Sequence, residues 1–436
     1  MNPPAAGSVT RPQPTHDPYA PLRVPAFLLF LAGSMLATIA SEMQTVAIGW
    51  ELYERTNSPL ALGLVGFVQI LPVLGLTLLA GVLADRWPRI RILQATLLIQ
   101  AVCSLSLAIA STGRFPVPFL YACLALNGIA LAFAFPARGS IVPQLVPFQM
   151  LASAIAWRTS GWQSAACLGP ALGGLLLATA RIPAVVYACA AALALGVCLA
   201  WLRLQAAPQD ELPRSAFNWR SLLAGAQFVA NHKLILAALT LDLFAILLGG
   251  ATALLPIFSR DILKVGPSGL GWLRAAPSLG ALAMALLIAH RPPFQHAGRT
   301  LIAAVAGFGL ATIAFGASRS FLLSLLLLAT LGALDNISVV IRATLVQSLT
   351  PDSMRGRVAA INSVFVCMSN ELGSLESGLA AWLLGPVPAV VLGGLGCLVV
   401  VLVVAIRWPE LPRLGRIDQL QPLPLPARTQ AAPSPP

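Results

Sequence analysis

Long apolar runs, each closed by a short polar or Gly/Pro-rich stretch, recur along the whole chain. A bilayer core of about 30 Å takes about 20 predominantly apolar residues per crossing helix. Run length and breakers predict helices near 26–50, 60–84, 92–112, 117–137, 153–178 and 182–203. A second set follows near 232–257, 268–290, 299–317, 320–345, 357–384 and 386–407. The expected fold class is therefore an all-α integral membrane protein with twelve transmembrane helices. The expected organisation is a disordered N-terminal tail (1–22), a six-helix bundle (23–204), a linker (205–231), a second six-helix bundle (232–408) and a disordered C-terminal tail (409–436). Within the linker, the stretch around Trp219–Val229 is amphipathic and suits the plane of a membrane surface.

Composition agrees with that pattern. The 436 residues are 58% hydrophobic and only 10% charged, where soluble domains carry about 25%. The net charge of +12 would suggest nucleic acid on a soluble protein, but basic residues of membrane proteins gather in cytoplasmic loops. With the N-terminus in the cytoplasm, most Lys and Arg fall on that side. Only Arg55, Arg114, Arg181, Arg260, Lys264 and Arg319 lie opposite. Both termini are thus expected in the cytoplasm and nucleic acid is not an expected partner. The seven cysteines sit inside apolar runs without metal-ligand spacing, so they read as small buried hydrophobes. Neither a nucleotide loop nor a nucleophile triad is apparent; no cofactor, metal or enzyme activity is expected.

The chain repeats itself. Arg138-Gly-Ser-Ile-Val-Pro-Gln-Leu-Val-Pro147 aligns with Arg342-Ala-Thr-Leu-Val-Gln-Ser-Leu-Thr-Pro351, at an offset of 204. The register continues from Met150 to Met354, Gly169 to Gly373 and Gly174 to Gly378. Two six-helix units of one orientation are parallel repeats, and such folds hold substrate between the halves.

Between the second and third helices lies Gly81-Val-Leu-Ala-Asp85-Arg86-Trp-Pro-Arg89-Ile-Arg91. Asp85 in this loop would accept hydrogen bonds from a neighbouring helix N-terminus and latch one conformation. A plain basic turn is the other reading. The segment resembles the cytoplasmic loop motif of the major facilitator superfamily, departing from it at Pro88 and Ile90. The resemblance implies a gating loop at Gly81, Asp85, Arg86 and Arg89. The second half lacks an acid at the matching place, which implies a one-sided latch. Gly169-Pro170-Ala-Leu-Gly173-Gly174 resembles the family's fifth-helix antiporter motif, a mark of exporters. A tight helix packing site explains the same glycines.

Ser41-Glu-Met-Gln-Thr-Val-Ala-Ile-Gly-Trp50, Thr56-Asn-Ser-Pro-Leu-Ala-Leu-Gly63 and Leu349-Thr-Pro-Asp-Ser-Met-Arg-Gly-Arg357-Val are similar to the enterobactin-exporter-like, or transmembrane secretion effector, branch. Ser369-Asn-Glu-Leu-Gly373 and Glu376-Ser-Gly378 extend the likeness. The branch contains siderophore exporters, drug-efflux-type permeases and transporters of unknown substrate. The Arg often found in the family's fourth helix is missing here from Tyr121–Ala137, which puts an Arg-based proton relay there in doubt.

Ionisable groups at membrane depth are costly and usually face a cavity or a partner. Glu42, Asp242, Asp335 and Glu371 are the acids so placed, and they are the proton-coupling or cavity candidates. A structural hydrogen bond is the alternative for each. Glu371 and Glu376 lie roughly 140° apart around a helix, so at least one is structural. Arg158 and Arg274 sit near helix ends where snorkelling explains them, although Arg158 would also pair with a cavity acid. Gln44, Asn127, Arg158 and Asn362 are the polar substrate-cavity candidates, with helix joining as the other role.

The function expected is proton-coupled export of a small siderophore-like or amphipathic drug-like molecule by alternating access. The place is a bacterial inner membrane, and the protein is expected to be a monomer with protons and lipid as its other partners. A lipid or lysolipid flippase is the alternative. A non-transporting sensor is a further one, although the tails leave little room for an output domain.

Overall fold

The computed structural model describes residues 17–204, 226–292, 294–351 and 354–416. Within them, twelve helices are long and apolar enough to cross a membrane. The first half comprises α1 (Pro25–Thr56), α2 (Pro59–Arg86), α3 (Arg89–Thr112), α4 (Val117–Ser140), α5 (Leu151–Ala180) and α6 (Pro183–Ala200). The second comprises α7 (Lys233–Leu248), α8 (Gly266–Ala289), α9 (Ala297–Ala317), α10 (Phe321–Leu349), α11 (Arg355–Leu384) and α12 (Pro386–Arg407). Pro at the first or second helical position opens α1, α2, α4, α6, α8 and α12, where its missing N–H costs nothing. α1 ends on Asn57 in the left-handed conformation, which Asn tolerates better than most residues.

Several expected boundaries move. α1 runs six residues past the expected 50, and α10 four past 345. The seventh span is interrupted rather than continuous. α7 stops at Gly249–Gly250, and the chain resumes as the turn Ala251–Leu254, a short Leu255–Ile257 piece and a π turn at Phe258–Ile262. Both glycines are required by crowding. A Cβ at Gly250 would lie 2.7 Å from Ser377 Oγ and 2.9 Å from the Gly373 carbonyl. Residues 17–22, assigned above to a disordered tail, carry a 3-10 turn (Ala20–Arg23) and rest on α5, where Trp157 Nε1 donates to the Pro18 carbonyl at 2.9 Å. Residues 409–416, assigned to the other tail, fold back on α9. Leu411 is buried, and the Ala297 and Gly298 N–H groups donate to the Gly415 and Leu414 carbonyls at 3.1 and 3.2 Å. Most of the linker, including Trp219, lies outside the described residues; its last stretch, 226–231, is helical.

The two halves are copies in contact pattern as well as in sequence. Within the first half α1 packs on α5 and α6, α2 on α4, and α3 on α4 and α6. Within the second α7 packs on α11 and α12, α8 on α10, and α9 on α10 and α12. Between halves the main seams are α5–α8 and α2–α11, which are images of each other under the same correspondence. The result is two parallel six-helix repeats related by a pseudo-twofold axis.

The seams are not uniform along their length. At the end of the bundle away from the chain termini, here the far end, both halves share one apolar core. It runs from Ile48 and Leu52 of α1 through Leu255 and Phe258 to Leu270 and Phe315. At the terminus-bearing end the core divides. Phe27, Phe30, Leu93 and Trp201 belong to a cluster of the first half, and Phe228, Leu239, Leu345 and Leu411 to a separate cluster of the second. Among the described residues the bundle is thus sealed at the far end, and its apolar core is parted at the other.

Candidate functional site

Glycines close the far end. A Cβ at Gly174 of α5 would lie 2.6 Å from the Gly271 Cα of α8, and one at Gly378 of α11 would lie 2.6 Å from the Gly63 Cα of α2. Neither contact tolerates a side chain, so helix backbones meet directly at both seams. The remaining glycines of the fifth-helix motif face α1. Gly169 lies against Glu42 and Ile39, and Gly173 against Met43. The motif serves two tight contacts, one inside its half and one across to the other.

A polar latch reinforces the seal. Tyr53 of α1 donates its hydroxyl hydrogen to Asp261, and Arg260 donates to Asn57 Oδ1 at 3.1 Å. The Arg260 guanidinium also lies over the Tyr53 ring, 5.4 Å from its centroid. Arg260 and Asp261 both belong to the π turn of the interrupted seventh span, a distortion common at functional sites. The motif Gly81–Arg91, expected to gate, is at the opposite end. Its first part ends α2 and Arg89 begins α3, while the side chains of Asp85 and Arg86 lie outside what is described.

Directly beneath the seal lie three charges. Arg274 of α8 acts electrostatically on both Glu42 of α1 and Glu371 of α11. All three are half-buried. Glu42 belongs to the first half and the other two to the second, so this cluster spans the boundary. Each acid is backed by a glycine from a neighbouring helix. Gly169 of α5 covers Glu42, and a Cβ at Gly66 of α2 would lie 2.5 Å from Glu371 Oε2. Arg274, read above as a snorkelling residue, instead turns into the bundle. Its depth in the sequence was visible, but the face it takes on α8 was not.

The other two acids lie within the second half. Asp242 of α7 is bound to Arg342 of α10, both buried at 4% and 5% exposure. Asp335 of α10 lines a small crevice with Asp242, Ala245, Ile246, Phe308 and Ser338. The four acids therefore form two groups. Arg342 was noted above only as the first residue of a repeated segment; its match to Arg138 hid its role as a buried partner.

The polar candidates separate similarly. Gln44 is buried and accepts from Ser104 Oγ at 2.5 Å, joining α1 to α3. Asn127 is buried on α4. Asn362 of α11 has a buried Oδ1 that accepts no hydrogen bond among the described residues, as does Asn336 of α10. Arg158 of α5 is half-buried and donates to the Arg138 carbonyl at 3.2 Å. Gln163 Nε2 donates to the Ser278 carbonyl of α8 at 3.1 Å, a hydrogen bond between the halves. Among the described residues no group of three His, Cys, Asp or Glu side chains has the geometry to hold a metal.

The architecture matches known transporters. A bacterial homolog of the human lysosomal transporter Spinster superposes with a TM-score of 0.69 at 15% identity, over 91% of this chain and 98% of that one. A D-xylose–proton symporter gives 0.65 at 14% identity, over 88% and 98%. At these identities the likeness is one of fold. Sequence relatives include the enterobactin exporter EntS of Citrobacter koseri, 27% identical over 92% of this chain and 95% of that protein. EntS of Escherichia coli O1:K1 is 26% identical over 89% and 93%. The family model for transmembrane secretion effectors matches residues 16–431. The chain belongs to that family of major facilitator transporters, multi-pass membrane proteins that move small molecules and are not enzymes.

Proposed function

We propose that this protein exports a small siderophore-like or amphipathic organic molecule across a bacterial inner membrane, in exchange for protons and by alternating access. The termini face the cytoplasm, so the parted end of the bundle is the cytoplasmic one. The chain acts as a monomer, and its substrate meets it from inside.

The observation that carries this reading is the Glu42–Arg274–Glu371 cluster beneath the far-end seal. Arg274 attracts Glu42 across the boundary, which favours the sealed state while Glu42 is ionised. An empty, unprotonated carrier is thereby held open to the cytoplasm and does not leak. Substrate binding offsets that hold and lets the far end part. There substrate is exchanged for protons on the acids, the glycine and apolar contacts reclose the far end, and release of the protons to the cytoplasm restores the attraction between Glu42 and Arg274. The relatives named as enterobactin exporters support a siderophore-like cargo.

Everted membrane vesicles test this with a tricatecholate siderophore and an amphipathic cationic dye as probes. Accumulation should need an imposed pH gradient. Glu42→Gln and Glu371→Gln should abolish gradient-driven accumulation while leaving exchange of labelled for unlabelled substrate. Full coupling retained after neutralising Glu42, Asp242, Asp335 and Glu371 in turn ends the proton-coupled reading.

A further inference from the structure

The two repeats differ at one charge. In the second half Arg342 is neutralised by Asp242. At the repeat offset of 204, the first half has Arg138 in place of Arg342. Among the described residues, Arg138 has no carboxylate partner. A second arginine meets it from α5: the Arg158 guanidinium donates to the Arg138 backbone carbonyl. Arg158 likewise has no ion pair among the described residues. Both are half-buried, so each keeps some accessible surface.

Their position is informative. Gln163–Ser278 bridges the α5–α8 seam, and Arg158 lies five residues nearer the terminus-bearing end, where the cores of the two halves have separated. Two arginines thus stand on α4 and α5 towards the parted end, on the terminus side of the Glu42–Arg274–Glu371 cluster. Apolar rings follow them inward. Phe135 is one turn deeper than Arg138 on α4, and Trp162 one turn deeper than Arg158 on α5. They are 67% and 57% exposed. Planar guanidinium forks suit an oxyanion, and the rings suit the apolar body behind it.

We propose that Arg138 and Arg158 form a recognition site for the acid group of an amphipathic organic anion, with Phe135 and Trp162 receiving its aromatic or apolar part. The site deepens the export reading and rests on it for its role: it would select organic acids among the molecules reaching the open end. A lipid phosphate offers related chemistry and is separated by the test.

The full chain in phosphatidylcholine nanodiscs is titrated with 1-naphthoate and with its neutral counterpart 1-naphthamide, following binding by calorimetry and Tm. The wild type should bind naphthoate at least about tenfold more tightly than the amide, as charge-assisted bonds require, and added salt should narrow the gap. R138Q and R158Q should each weaken naphthoate about tenfold while leaving the amide unchanged, and R158K should recover part of the loss. An unliganded Tm close to that of the wild type establishes that each variant is folded. The far-end variant R114Q should bind as the wild type does. Equal binding of acid and amide by the wild type, or no binding of either, overturns the site. So does an Arg158-dependent stabilisation that appears only when phosphatidylglycerol is added, which assigns the pair to lipid. Binding needs no turnover, so selective binding without vesicle flux ends the export reading alone, and flux without selectivity ends this one alone.

Discussion

Replacing Gly174 by Ala asks the α5–α8 crossing to accept one methyl group. The new Cβ would stand 2.6 Å from the Gly271 Cα and 2.7 Å from the Pro267 carbonyl, against an ordinary contact of 3.4 Å or more. The backbones must therefore separate by about 0.8 Å at this point. The atoms met are backbone, so no side chain can swing away. Overpacking of this kind costs about 1–3 kcal/mol. In the alternating-access cycle proposed above, the cost falls on the far-end-closed state, where the two glycines touch. The equilibrium between closed and open far ends should shift by about 5–150-fold towards open. Spin labels on cysteines replacing the exposed Arg114 and Arg319, one in each half, read this as a longer component in the distance distribution. A folded, membrane-inserted variant whose distribution matches the parent refutes the claim that this crossing seals the far end.

Tyr53→Phe removes the hydroxyl held by Asp261, a carboxylate about half exposed, so its effect should be smaller, about 1 kcal/mol in the same direction. The same label pair measures it, and Asp261→Asn should resemble it; two silent variants would dismiss the latch. Arg342→Gln strands Asp242 in the second half and should cost about 3–5 kcal/mol, seen as a lowered Tm in detergent. Asp242→Asn on that background should restore most of the loss, and failure to do so would mean that the pair is not a unit. Gly66→Ala presses directly on Glu371 and should impair pH-driven accumulation more than it lowers Tm; equal damage to both would mark that contact as packing alone.

Much of the architecture was legible because membrane-spanning helices are written as length and apolarity, with little competing signal. The pairing of the halves was legible because the repeat around Arg138 and Arg342 survives in the sequence. The charged site was only half readable. Glu42 and Glu371 drew attention because acids at that depth are expensive. Arg274 did not, since a long side chain near a helix end has a cheap explanation and the face it takes depends on α8 packing against α5 and α10. Gln44 stays open between a cavity and a helix-joining role in the sequence, because nothing in its neighbourhood along the chain names Ser104, sixty residues away, as its partner. Which end of the bundle closes was hidden for a related reason. The gating signal at Gly81–Arg91 lies at one end, while the closure rests on glycines that look like ordinary packing residues until two of them are seen to cross.

The return of residues 409–416 onto α9 has a consequence for synthesis. The first backbone N–H groups of any helix lack partners of their own, and here two of them wait for carbonyls supplied by Leu414 and Gly415. The first six-helix unit holds every segment it needs as soon as the ribosome passes Leu204. The second stays unfinished until Gly415 has emerged. A stop codon after Arg407 should yield a protein whose late-assembled half frays and is degraded, which pulse-chase labelling would detect as a shortened lifetime.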